Sequence, residues 1–178
     1  ESGPWHSAHL VHYANIFQPG NPYSASAWRH QHGALWDIGP HGLASLLPVM
    51  GPVNSVTARN GPAGSDTVHL VLTHGAPAAV AAALAGGNVH SSGRGPASVS
   101  TVPASTGSAS TLSLSLTMPP AATGTQVVLY GERGTRTRPE GTFDPVGPFQ
   151  AAIAELAAMV QNGEHRHRCD AYFGLEVV

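Results

Sequence analysis

The chain has 178 residues, enough for one domain of ordinary size with a real core. Charged residues make up only 10% of it, against about 25% in typical soluble domains, and a formal charge of −2 offers no electrostatic footprint for nucleic acid or an anionic membrane. The single cysteine, Cys169, rules out an internal disulfide and argues against a cysteine-based zinc site, and all eight basic residues are arginine, so lysine chemistry must come from elsewhere.

In chain order, Ser7 to Ala14 alternates as a first strand, and "IFQPGNPYSASAW" follows as a proline- and glycine-rich loop. Asp37 to about Leu47 reads as a short helix, with Ile38, Leu43, Leu46 and Leu47 on one apolar side and Pro40 in its first turn. Pro48, Gly51 and Pro52 end it. Val53 to Arg59 and Thr67 to His74 read as strands around the turn-rich "NGPAGSD". Residues 77–105, rich in alanine, then glycine, serine and proline, read as an insertion or surface excursion. Ser110 to Met118 is the clearest strand: Leu112, Leu114, Leu116 and Met118 oppose Thr111, Ser113, Ser115 and Thr117. "TQVVLYG" adds a strand, and "GTRTRP" a short one. Pro148 to Asn162 is an amphipathic helix with Phe149, Ile153, Leu156 and Val160 along one side, closed by Gly163. A last helix begins near Cys169 or Asp170. The order predicts an α+β fold: a mainly antiparallel open sheet with helices on one face, forming a single domain over residues 1–178. No apolar run is long enough for a membrane span, and no signal pattern opens the chain, so a cytoplasmic location is expected. Both ends, Glu1 and "FGLEVV", read as cut.

Asp37 and His41 stand four apart, where a helix would stack them. Asp37 is a candidate helix N-cap, with His41 an ordinary surface histidine. Alternatively the pair is an acid–base couple, the carboxylate favouring a charged imidazole. Eleven histidines raise a metal reading. Strand alternation splits His6, His9 and His12 between faces, and His165, His167 and Cys169 fall at a turn. Neither series has an established zinc spacing, so no metal site is expected.

The ordered series "SAWRHQHGALWDIGPHGLASLLPVMGPVNSVTA", "DTVHLVLTHG", "STLSLSLTMPP", "VVLYGERGTRTRP" and "FQAAIAELAAMVQNGEHRHRCDAYFGLEVV" resembles the C-terminal domain of Gfo/Idh/MocA-type oxidoreductases. Asp37, Gly39 and His41 match the D-x-G-x-H segment, and Gly51 and Val53 the G-x-V strand that follows. The resemblance implies an NAD(P)-dependent oxidoreductase acting on a hydroxyl or carbonyl group of a sugar-like or polyol substrate. In that reading His41 moves the hydroxyl proton, and Asp37 positions substrate or histidine. Arg29 and Trp36 would meet a hydroxylated small molecule, with surface or packing roles as the alternative. NAD or NADP would sit mainly on an N-terminal Rossmann domain not present in these residues. The chain contains no lysine, no E-K-P segment and no strand–G-x-G-x-x-G–helix unit, so no cofactor-binding residue is assigned and the chain by itself is expected to be inactive. The Ser/Thr face of the sheet would form a homo-oligomer, because so few charges leave a broad face poorly solvated. Two other readings stay open: a free-standing binding or assembly module without redox activity, and a cofactor-independent acid–base enzyme using Asp37 and His41.

Overall fold

The computed structural model describes residues 4–75, 107–138, 144, 146–167 and 169–178. The expected excursion at 77–105 lies outside the described residues. The chain's contacts group into two compact units, Glu1–Thr137 and Arg138–Val178.

The first unit is a six-stranded sheet carrying one long helix. Its elements are β1 (Trp5–Tyr13), α1 (Ala27–Met50), β2 (Val53–Asn60), β3 (Val68–His74), β4 (Ala109–Ser115), β5 (Gly124–Gly131) and β6 (Gly134–Thr137). They lie in the order β2-β3-β4-β1-β5-β6. Only the central β1–β4 pair is parallel; the other four pairings are antiparallel. The α+β expectation therefore holds.

Period-two alternation sorts the strands into two faces. Leu70, Leu112 and Leu10 stand side by side in register across β3, β4 and β1, and Leu114 pairs with Val68. Together with Ala8, Leu72 and Leu116 they form the core, onto which α1 lays Ala34, Ile38, Leu46 and Met50. Two glycines let the helix sit close: a Cβ on Gly42 would stand 3.0 Å from the Leu112 side chain, and one on Gly39 3.7 Å from Leu114. Leu112, Leu114 and Leu116 are fully buried, as their alternation requires. The regular strand nevertheless ends at Ser115 rather than Met118. The Asp66 carboxylate intercepts the Leu116 N–H at 3.0 Å and the Ser115 and Thr117 hydroxyls at 2.9 and 2.8 Å, and so draws the chain out of the ladder.

His74 is buried among apolar side chains, yet both ring nitrogens are satisfied. A carbonyl can only accept, so Nδ1 donates to the Gly51 oxygen at 2.8 Å. Nε2 meets the Ser110 hydroxyl at 2.7 Å. This joins the end of α1 to β3 and β4 at little electrostatic cost.

The second unit contains α2 (Gly147–Asn162) and α3 (Ala171–Glu176). Asp144 accepts from the Val146 and Gly147 N–H groups at the start of α2, and Gly163 closes that helix in the left-handed conformation. Asp170 caps α3 through the Tyr172 and Phe173 N–H groups. The apolar side of α2 forms as expected, but Phe149, Ile153, Leu156 and Val160 are largely exposed.

Candidate functional site

The helix carrying the D-x-G-x-H segment begins ten residues earlier than its sequence suggests. Ser26, not Asp37, is the N-cap, and α1 runs from Ala27 to Met50 with a break at Gly33. Gly33 adopts φ 66°, ψ −166°, a region essentially closed to residues with a Cβ. Asp37 therefore lies a full turn beyond the break, inside the second helical segment, and is not its cap. Pro40 likewise sits in the helix interior rather than the first turn. There its ring removes the N–H that would bond to the carbonyl of Trp36.

The break decides what Asp37 touches. In a straight helix, residues eight apart are separated by about 12 Å along the axis. Here the turn at Gly33 brings Arg29 and Asp37 together, and the Arg29 Nε–H donates to Asp37 Oδ2 at 2.9 Å. Both side chains are mostly buried, at 26% and 17% exposed. The guanidinium carbon also lies 4.4 Å from the centre of the Tyr23 ring, so Arg29 is held between a carboxylate and an aromatic face.

His41 follows Asp37 by one turn and is exposed. No hydrogen bond links the two side chains; the backbone carbonyl of His41 accepts from the Ser45 hydroxyl at 3.0 Å. The structure thus pairs Asp37 with Arg29 and leaves His41 facing outward. Trp36 is 54% exposed and meets His32 edge-on at 6.2 Å, while His32 in turn contacts Trp28 at 5.0 Å. A cleft of about 330 Å³ runs beside this ladder, lined among others by His32, Gly33, Trp36, Asn60 and Asp66. Arg29, Trp36, Asp37 and His41 all lie on α1 within a span of thirteen residues.

Sequence reasoning passed over Tyr23 and Asp66 and assigned no role to His32. Tyr23 sits in a run read only as loop. Asp66 reads as a turn residue in "GSD", yet it anchors β4 and abuts the kink: a Cβ on Gly33 would stand 3.5 Å from the Asp66 Cβ. In the second unit, His167 Nδ1 accepts from the Cys169 N–H at 3.1 Å, so Nε2 carries the proton it donates to Glu155 at 3.0 Å. No group of three histidine, cysteine or acidic side chains among the described residues is arranged to hold a metal ion. No described helix is long and apolar enough to cross a membrane.

An oxidoreductase from Agrobacterium radiobacter, solved with NAD+, L-tartaric acid and magnesium, matches 98% of this chain at a TM-score of 0.60 and 11% identity. The chain shares its fold with part of that oxidoreductase. It covers 52% of that protein's length. The WlbA dehydrogenase from Bordetella pertussis, solved with NADH and UDP-GlcNAcA, matches 76% of this chain at a TM-score of 0.49 and 17% identity, and the chain covers 34% of it. The chain therefore spans about half or less of the length of these proteins. No family model and no curated protein matches the sequence.

A dinucleotide needs a glycine-rich turn opening onto uncommitted helix N–H groups. The described helices offer none: Ser26 caps α1, and the carboxylates of Asp144 and Asp170 occupy the starts of α2 and α3. A pyrophosphate would meet repulsion at the last two. The described residues do not fit a nicotinamide dinucleotide.

Proposed function

We propose that this chain is the substrate-binding and self-associating domain of an NAD(P)-dependent oxidoreductase acting on a hydroxyl or carbonyl group of a sugar-like or polyol substrate. The nicotinamide, which supplies the hydride acceptor or donor in such enzymes, is held by a domain outside these residues. The observation that carries the reading is the outward-facing His41 one turn beyond a braced Asp37, on a helix seated against the sheet and flanked by the exposed Trp36.

His41 gives and takes the proton of the reacting hydroxyl, a task suited to an exposed imidazole. Asp37 keeps its second oxygen for a substrate hydroxyl, while Arg29 fixes the carboxylate's rotamer through Oδ2. Arg29 thus acts first as a positioning residue, and only its terminal nitrogens are offered to substrate. The ring of Trp36 packs against the apolar face of a sugar or polyol chain.

The sheet face opposite α1 carries the self-association. Across the strands it presents Thr57, Val71, Thr111, His9, Val128 and Thr137 in one paired row, with Thr73, Ala109, Ser7 and Tyr130 in the row on one side and His69, Ser113, Val11 and Gln126 on the other. Among the described paired positions of this face, Arg59 is the one permanently charged side chain, so the face can meet a copy of itself without strong repulsion.

Calorimetric titration with L-tartrate and with a panel of polyols tests the substrate reading, with NADH as control. We expect weak binding of at least one hydroxylated ligand, weakened about tenfold or more in Trp36→Ala, and no binding of NADH by the chain alone. Tight NADH binding, or no hydroxylated ligand bound at all, contradicts it.

A further inference from the structure

The open sheet face carries two histidines in its interior rows, each tied to a hydroxyl on β4. His9 Nδ1 stands 2.6 Å from the Thr111 hydroxyl, and His69 Nδ1 2.9 Å from the Ser113 hydroxyl. A hydroxyl can accept as well as donate, so both contacts survive protonation of the ring. Acid therefore changes the charge of the face without breaking the strand pairs beneath it.

Among the described residues, no acid occupies a position paired with either ring. His9 faces Thr111 on β4 and Val128 on β5, and meets the Tyr130 ring edge-on at 5.4 Å. His69 faces Ser113 on β4 and Arg59 on β2. The remaining titratable group of this face on β1 is Tyr13, and the paired positions of β6, Thr135 and Thr137, carry no charge. No aspartate or glutamate occupies the paired positions of this face. The carboxylate at the end of β4, Asp66, already accepts from Ser115, Leu116 and Thr117.

We propose that His9 and His69 make self-association of this face pH-dependent: copies join at neutral or alkaline pH and separate in mild acid. The inference rests on the self-association proposed above. Imidazole is the side chain whose charge ordinarily changes between pH 5 and 8. On protonation each face goes from one positive side chain, Arg59, to three. In a face-to-face pair of identical copies the added charges are of one sign on both sides, and the described paired positions of the face hold no acid to absorb them.

Sedimentation velocity of the whole chain at about pH 8 and about pH 5 tests this, with circular dichroism confirming the fold at both. The wild-type chain is expected to associate at the higher pH and to bind itself about tenfold or more weakly at the lower. The double variant His9→Gln/His69→Gln keeps partners for the hydroxyls and should associate equally at both. Salt at about 1 M, which shortens the screening length to about 3 Å, should restore wild-type association in acid. Equal wild-type association at both pH values overturns the switch alone. Acid dissociation that persists in the double variant, or that salt does not reverse, overturns it too. A monomer at every pH overturns the self-association reading itself, and the switch with it.

Discussion

At the scale of single residues, the Arg29–Asp37 pair shows how a backbone feature selects a side-chain partner. The i, i+4 spacing of Asp37 and His41 suggests contact between them, yet Gly33 turns the chain so that Arg29 reaches the carboxylate instead. Gly33→Ala places a Cβ at φ 66°, ψ −166° and should cost about 1–3 kcal/mol, read as a lowered urea midpoint with unchanged slope. An Ala variant as stable as the parent would show that the break is not needed. Arg29→Gln keeps a polar side chain but removes the cation from both Asp37 and the Tyr23 ring. Because the pair is only partly exposed, the expected loss of stability is about 1 kcal/mol, and ligand affinity should fall more than that stability change implies. A loss of stability with affinity untouched would make Arg29 a brace for the helix alone. The sequence names the candidate side chains of the site but not their partners, since one glycine's conformation decides that Arg29 meets Asp37.

Among elements, the strands were read well because period-two alternation is a strong local signal; Leu112, Leu114 and Leu116 are all fully buried. The helix was read poorly at its start. Asp37 and Pro40 imitate a cap and first turn, whereas Ser26 begins the helix from a polar run that reads as loop. Gly42 marks where α1 approaches the sheet most closely, 3.0 Å from Leu112 for an added Cβ. Gly42→Leu should overpack that contact and cost about 1–3 kcal/mol, measurable by thermal melting; a neutral result would place the helix further from β4. At α2, the N–H groups of Gly147 and then Val146 hold the Asp144 carboxyl below its ordinary value of 3.8. A depressed carboxylate contributes stability that is present above that ordinary value and is lost as pH falls through the folded one. The start of α2 should therefore loosen only in strong acid. Asp144→Asn should remove that acid-dependent step in amide exchange, and a step that survives in the variant would assign it to another group.

For the whole molecule, the α+β class and the open sheet were both legible, because an alternating strand with one apolar and one hydroxyl face demands helices on one side only. The strand order was not. The parallel pairing of β1 with β4 joins segments about a hundred residues apart, and no local pattern specifies it. That pairing puts His9 beside Thr111 and gives the open face its composition. The chain spans about half the Agrobacterium radiobacter oxidoreductase it matches, so its proposed share of the chemistry is proton handling and substrate grip, with hydride transfer lying elsewhere. Histidine-selective NMR during a titration with hydroxylated ligands tests that central claim most directly. The ring signal of His41 should shift on binding, with the buried His74 and the sheet-face His9 and His69 unmoved, and the shift should vanish in His41→Ala. Binding that moves the sheet-face histidines and leaves His41 unchanged would contradict the account.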